Sequence, residues 1–579
     1  MSNENLKENE KQLLVGGDLV VKSLQAEGIR YIFGLVGGEL LTIYDAVYRW
    51  GREENINTIM FRHEQAAAHA ADAWSRVSDA PGVCMGTVGP GATHMVPAVA
   101  AANSDNIPMI VIAPSKMEDL DDKFSFQSGL DQISLFRPIT KYQKKVRKAK
   151  DIPDAIRKAF RQALGGRPGP VFLEITKDAL YEKTDRPIEI LSPECYRCTG
   201  KSGADPALIQ TAVDLLLDSQ NPVLIAGGGV INAEAWAELQ ELSDYLKIPA
   251  LTTIMGIGSI SSDKDTFLGI TLNAPAAQSA IQEADLALAC GSKLSYTVAY
   301  GMPPLWKKHT KIIQIDIDPT ILGRARKVDL PILGDCKLVL EQILEEVKKR
   351  TGKRETSEWV KSLINVRKKN IETINKRALK PKTPMRPETF LKNVLENLDK
   401  DAIIVLDGGD ISLYSTLQLD FYKPRPPKST LMSAGMGHLG TCIPYAIGCK
   451  LAQPEKQVAI ICGDGSFLFN VQELETAVRI NTPFLCFIAN NSAWGMIKTN
   501  QKFNFGKRFI DTDLDMKTNY AEIAKGFGCF AERITDPNEI KPAIQRGIES
   551  NLPCVFDIVI AYMVPEIRKV LLQLGINLA

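Results

Sequence analysis

Short apolar runs separated by segments with helical spacing recur along most of the chain. Ile56–Phe61, Val223–Ala226, Leu286–Cys290, Lys311–Ile317, Gln457–Cys462 and Phe484–Ile488 have the length and composition of buried strands. After Gln457–Cys462, the residues Leu468, Val471, Leu474, Ala477 and Val478 recur at the spacing of one helix face. Strands alternating with helices predict parallel sheets built from strand–helix–strand units. Two composition shifts divide the chain. Leu180–Pro206 is rich in proline and charge, and Thr351–Pro387 is a charged helical stretch ending in Lys380-Pro381-Lys382-Thr383-Pro384-Met385-Arg386-Pro387. The expected architecture is α/β, three doubly wound parallel-sheet domains in series, spanning 11–182, 203–350 and 385–565.

Length and composition agree with that division. A chain of 579 residues implies about three or four domains. A 45% hydrophobic and 24% charged composition is that of an ordinary globular protein. With 69 basic against 68 acidic side chains the net charge is +1, which gives no global field for nucleic acid or a membrane. The basic run Lys141–Lys150 is explained more simply as a solvated face than as a binding patch. No stretch is long and apolar enough to cross a membrane, and Met1–Gln12 is polar with no apolar signal core, so a cytoplasmic protein is expected. The eleven cysteines fall mostly inside apolar runs, as Cys84, Cys290, Cys462 and Cys486 do, which suits reduced, buried thiols. Cys195 and Cys198 form a lone C-x-x-C with no second pair or suitable histidine, and no metal site is expected there.

The chemistry concentrates in Gly463-Asp464-Gly465-Ser466 and Asn490-Asn491, each following a strand candidate. Two parallel strands joined by a crossover helix end on the same sheet edge, so Asp464 and Asn491 can meet at one ion. Both offer hard oxygen ligands, and diphosphate oxygens and water would complete a Mg²⁺ octahedron. The glycines let the backbone approach phosphates, and a helix starting near Ser466 aims free N–H groups at them. Such a site belongs at the carboxyl edge of an open α/β sheet. Alone, the first motif reads as a turn and Asn-Asn as a loop. Their strand–helix–strand context joins them into a metal–diphosphate clamp.

In these residues the chain resembles the thiamine diphosphate enzymes, whose fingerprint is Gly-Asp-Gly followed by Asn-Asn at about this separation. The resemblance implies that Asp464, the side chain of Asn491 and the main-chain carbonyl of Ala493 bind Mg²⁺. It also places Gly463, Gly465, Ser466, Trp494, Gly495 and Met496 at the cofactor. Arg62-His63-Glu64 is similar to the family's activating glutamate, and it precedes Gly86-Thr87-Val88-Gly89-Pro90-Gly91, which resembles the family's Thr-Ser-Gly-Pro-Gly loop. Glu64 would hydrogen-bond the pyrimidine nitrogen and favour the imino tautomer, which requires a dry pocket. Read without its context, Glu64 is a surface ion-pair member. In Ser433-Ala434-Gly435-Met436-Gly437-His438-Leu439-Gly440 the resemblance gives Gly437 a carbonyl for the aminopyrimidine, and gives Leu439 the aliphatic wedge that bends the cofactor. Without the neighbouring motifs, Met436 and Leu439 are core residues at helical spacing. His438 is equally compatible with a cofactor contact and a structural role.

Pocket positions bear on the branch of the family. Phe126-Gln127-Ser128-Gly129 is similar to both acetolactate synthases and benzaldehyde lyase, with Gln127 facing the substrate, whereas oxalyl-CoA and 2-hydroxyacyl-CoA enzymes carry Tyr-Glu at Gln127-Ser128. Asn490–Gly495 resembles benzaldehyde lyase, and Asn500 replaces a tryptophan of acetolactate synthases. Glu39, in Gly37-Gly38-Glu39-Leu40, stands where benzaldehyde lyase has a catalytic histidine. A second acid/base and an exposed loop charge explain it equally well. In the central domain Ala226-Gly227-Gly228-Gly229 and Ile315-Asp316-Ile317-Asp318-Pro319 give a weak nucleotide signal. Gly291–Tyr296 replaces the arginine-bearing segment of acetolactate synthases, so FAD or ADP there is not favoured. The resemblance implies a thiamine diphosphate- and Mg²⁺-dependent acyl-anion carboligase or lyase of the acetolactate synthase-like branch. Its small-molecule substrates would be 2-oxo acids or 2-hydroxyketones. A 2-hydroxyacyl-CoA lyase or oxalyl-CoA decarboxylase type, and a non-catalytic cofactor-binding module, are the alternatives. The family's active sites lie at a subunit interface, so a homodimer or homotetramer is expected.

Overall fold

The computed structural model of the protein describes residues 13–51, 56–121, 123 and 125–568, and the polar Met1–Gln12 lies outside them. Three six-stranded sheets follow one another along the chain. The first contains β1 (Tyr31–Gly34), β2 (Asn57–Met60), β3 (Gly82–Met85), β4 (Met109–Ser115), β5 (Tyr142–Val146) and β6 (Pro170–Thr176). The second contains β7 (Pro222–Ala226), β8 (Ala250–Thr252), β9 (Phe267–Ile270), β10 (Leu286–Cys290), β11 (Lys311–Asp316) and β12 (Leu330–Leu333). The third contains β13 (Ile403–Asp407), β14 (Thr430–Leu431), β15 (Val458–Gly463), β16 (Leu485–Asn490), β17 (Phe530–Ile534) and β18 (Cys554–Val559). Every registered strand pair is parallel.

The strand orders are β2-β1-β3-β4-β6-β5, β12-β11-β10-β7-β8-β9 and β14-β13-β15-β16-β18-β17. The first and third sheets therefore have the same winding, and the central one has the order of a doubly wound dinucleotide-type sheet. Strands covered on both faces read as continuous apolar runs. β3, β4, β6, β7, β10 and β13 are buried at every residue.

By contacts the chain divides into two compact units. Gly435–Glu455 and Asn470–Ile480 belong with the N-terminal residues through Thr199, and Gly200–Ala434, Lys456–Phe469 and the residues from Asn481 onward form the other. Within the first unit, the small residues Ala66–Ala73 let the helix Cys442–Ala452 approach the helix Glu64–Val77. A Cβ on Gly448 would lie 2.3 Å from the Ala70 carbonyl oxygen. The single helix face expected over Leu468–Val478 is broken into Asp464–Phe467, a 3-10 turn Leu468–Asn470 and Glu473–Arg479. Asn470 marks the break, where its amide donates to the Gly440 carbonyl at 2.7 Å. Among the described residues no helix is long and apolar enough to cross a membrane. Cys84, Cys290, Cys462 and Cys486 are buried free thiols, and Cys195 and Cys198 are exposed.

Candidate active site

The register of the third sheet pairs Gly463 with Ala489, so Asp464 and Asn491 leave adjacent strands at one edge, as the spacing predicts. Asp464 is 2% exposed and begins a one-turn helix, two residues earlier than expected. Its Oδ1 accepts the Gly465 N–H at 3.0 Å, while Oδ2 has no hydrogen-bond partner. Burial pushes its carboxyl up to about 6, against the backbone N–H groups of Gly465, Ser492 and Ala493. Asn490 shapes the opposite loop. Its Oδ1 accepts the Ser492 N–H at 3.2 Å, with Ser492 at φ +50°, and its amide donates to Asp557 Oδ1 at 2.8 Å. Asn491 Oδ1 accepts the Ala493 N–H at 3.1 Å, and the Ala493 carbonyl accepts the Gly495 N–H at 2.8 Å. Each oxygen keeps a second lone pair. Ser466 Oγ is turned to the Gly463 carbonyl at 3.1 Å. The Trp494 ring stands over Gly465, where a Cβ would come within 2.9 Å of it, and Met496 packs on Gly409.

Asp410 belongs beside these residues and was missed from the sequence, although Gly408-Gly409-Asp410 directly after β13 repeats the strand–glycine–acid pattern. It is buried, its Oδ1 has no partner, and its Oδ2 accepts from Thr499 Oγ1 at 3.4 Å. A Cβ on Gly495 would sit 3.2 Å from Asp410 Oδ2 and 3.4 Å from Asn491 Nδ2. Burial pushes Asp410 up to about 6, with Arg568 pulling the other way. A buried carboxylate oxygen without a partner is unfavourable by several kcal/mol, roughly, unless a cation or donor meets it. The unpartnered Asp464 Oδ2 beside hard oxygens on the Asn491 loop thus fits a Mg²⁺–diphosphate group.

The first unit holds the other predicted residues. Glu64 opens its helix just after β2 and is 6% exposed, which removes the surface ion-pair reading. Its Oε2 lies 2.9 Å from His94 Nδ1, and a Cβ on Gly91 would lie 3.2 Å from its Oε1. The carboxyl therefore rests against the Gly86–Gly91 loop. The His63 and His94 rings stack at 4.4 Å. Ligand-type atoms of His63, Glu64 and His94 all lie within 4.8 Å of one another, but His63 Nδ1 already accepts the Gln65 N–H at 3.2 Å. We therefore read this cluster as hydrogen-bonded. The backbone N–H of Arg62 lies 3.2 Å from both oxygens of buried Glu473, fixing the chain two residues before Glu64. Burial pushes Glu473 up to about 7, opposed by Thr476 and the Arg62 N–H.

A buried charge network positions the Gly437 loop. Gly435 N–H donates to Asp105 Oδ1 at 2.7 Å, Arg76 donates to Asp105 Oδ2 at 2.8 Å, and Arg76 also donates to Asp72 at 2.8 Å. Gly437 has φ +65°, a conformation that favours glycine. Met436 is 54% exposed, so it is not a core residue, and Leu439 is half-buried. His438 Nδ1 meets the Leu439 carbonyl at 2.8 Å, and its ring meets His69 edge-on at 4.8 Å. Gln127 is half-buried at φ +63°, and its carbonyl would lie 2.6 Å from a Cβ on Gly89. Glu39 is no exposed loop charge: it is 8% exposed and paired with Lys116 at 2.5 Å. Burial raises its pKa, but the Lys116 hydrogen bond and charge outweigh that and hold it below the usual range. In the central sheet the glycine run has a packing role, since Cβ atoms on Gly227 and Gly229 would meet the Gly291 backbone at 2.2 and 2.6 Å.

Three family models match in order. Residues 14–135 match the thiamine pyrophosphate enzyme N-terminal TPP binding domain, 209–343 the central domain and 410–558 the C-terminal TPP binding domain. The chain is 36% identical over 559 residues to a probable acetolactate synthase large subunit of Methanocaldococcus jannaschii, covering 94% of this chain and 92% of that one. The chain belongs to the acetolactate synthase-like family of thiamine diphosphate enzymes. This thiamine diphosphate enzyme is also 33% identical to the acetolactate synthase large subunit of Corynebacterium glutamicum, over 94% of this chain and 87% of the relative. With acetolactate synthase isozyme 3 large subunit of Escherichia coli it shares 30% identity over 93% of each chain. These relatives support an acyl-anion carboligase. They do not favour the acyl-CoA lyase type or a non-catalytic binding module.

Proposed function

We propose that this enzyme condenses two 2-oxo acids, the first losing CO₂, in the manner of an acetolactate synthase, with Mg²⁺ as its metal. Bound thiamine diphosphate supplies an acyl-anion equivalent, its thiazolium ring serving as electron sink. Asp464, the Asn491 side chain and the Ala493 carbonyl hold Mg²⁺ on the diphosphate, with Gly463, Gly465, Ser466, Trp494, Gly495 and Met496 lining that end. Gly437 offers its carbonyl to the aminopyrimidine and Leu439 supports the bend. Glu64 exchanges a proton with the pyrimidine nitrogen from a water-poor position. Gln127 and the Glu39–Lys116 pair face the substrate, the lysine supplying charge for a substrate carboxylate. Glu64 and the Asp464 clamp come from different subunits of a homodimer or homotetramer, and because the three relatives are named large subunits, a smaller partner chain is part of the proposal.

The observation that carries this reading is the buried Glu64 carboxyl against the Gly86–Gly91 loop, which a binding module would not need. The test is incubation of purified protein with thiamine diphosphate, Mg²⁺ and pyruvate, with and without FAD. We expect CO₂ release and a five-carbon 2-hydroxy-3-oxo acid without added FAD. Turnover of a 2-hydroxyacyl-CoA alone would refute the proposal.

A further inference from the structure

We propose that His94 carries protons between bulk water and the buried carboxyl of Glu64. The inference rests on the reading of Glu64 as the activating carboxylate. A carboxyl that gives a proton to the cofactor's pyrimidine nitrogen and takes one back must be reset, and Glu64 is only 6% exposed. Its Oε2 lies 2.9 Å from His94 Nδ1, and the His94 side chain is 44% exposed. His94 Nε2 has no protein partner among the described residues. In the single chain one imidazole nitrogen thus meets the acid while the other is exposed and has no protein partner, an arrangement suited to passing a proton through the ring. Stacking on His63 fixes the ring plane. Burial and the neighbouring His94 hold the His63 pKa below its ordinary value.

A solvent acid, hydronium or a buffer acid, protonates Nε2 while the Nδ1 proton passes to Glu64 Oε2, and Oε1 releases one proton toward the pyrimidine nitrogen. The reverse path returns it. His94 acts on the reaction only through Glu64.

The test is deuterium exchange of the thiazolium proton in holoenzyme carrying His94→Ala, His94→Gln or Glu64→Gln, with and without added imidazole. The relay predicts that both His94 variants slow exchange by about 100-fold or more. It also predicts that imidazole restores the rate in His94→Ala. Glutamine can still donate to Glu64 but cannot shuttle, so wild-type exchange in His94→Gln would overturn the relay in favour of a holding role. Failure of imidazole to restore the His94→Ala rate would also overturn it. In the cofactor-free protein, nitrogen-15 imidazole spectra should show His94 protonated on Nδ1 in the wild type, with that preference lost in Glu64→Ala; an unchanged tautomer contradicts the contact. If Glu64→Gln exchanges normally, the underlying reading of Glu64 fails. If Glu64→Gln is slow while both His94 variants are normal, only the relay fails.

Discussion

Glu473 allows a quantitative test of how the Glu64 backbone is held. Its carboxyl is fully buried, receives the Arg62 N–H and the Thr476 hydroxyl, and is pushed up from 4.5 to about 7 by burial. A folded-state pKa above the unfolded one means the native state binds more protons between those values. The stabilisation is therefore complete below pH 4.5 and is lost as pH rises through about 7. Between pH 5 and pH 8 the linkage integral removes about 2.5 kcal/mol from wild type. Glu473→Gln keeps an acceptor for Arg62 but does not titrate. Urea unfolding of both proteins at the two pH values isolates Glu473, because other groups cancel in the difference. We expect wild type to lose about 2–3 kcal/mol relative to the variant on going from pH 5 to pH 8. A difference that stays constant, or moves the other way, would refute the account of Glu473 as a desolvated grip on the Arg62 backbone.

Other outcomes follow from the same geometry. Asp464→Asn should weaken Mg²⁺-dependent cofactor binding more than about 100-fold while stabilising the cofactor-free protein by about 1–3 kcal/mol. Calorimetric titration and thermal melts report the two effects, and a coupled loss of both would contradict the assignment. Gly465→Ala should force Trp494 aside, costing about 1–3 kcal/mol, read as lower cofactor affinity with altered tryptophan fluorescence. Lys116→Met leaves Glu39 buried without its partner and should destabilise by about 3–5 kcal/mol, most of it recovered in the double variant with Glu39→Leu. Denaturation of the single and double variants decides this.

The strands and the meeting of Asp464 with Asn491 at one sheet edge were legible because their determinants are local. Strands buried on both faces write themselves as apolar runs, and a glycine–acid turn at a strand end sits next to the strand that positions it. β10 matches its predicted run, and Asp464 and Asn491 emerge side by side because the sheet is parallel. Glu473 and His94 were not legible, since each acquires its role from a partner far away in sequence, the Arg62 N–H in one case and Glu64 in the other. Asp410 carried a readable pattern but lacks an Asn-Asn counterpart to single it out. Glu39 could not be decided from its own loop, because Lys116, which pairs with it, comes from beyond β4. The break at Asn470 depends on the Gly440 carbonyl, which no helical periodicity encodes.

The central claim is that Glu64 switches on a cofactor anchored by Asp464. Its most direct test is the exchange rate of the thiazolium proton on cofactor bound to wild type and to Glu64→Gln, read by acid quench and proton NMR. The account predicts that the variant binds thiamine diphosphate and Mg²⁺ normally yet exchanges about 100-fold or more slowly. Equal rates with full occupancy would contradict it.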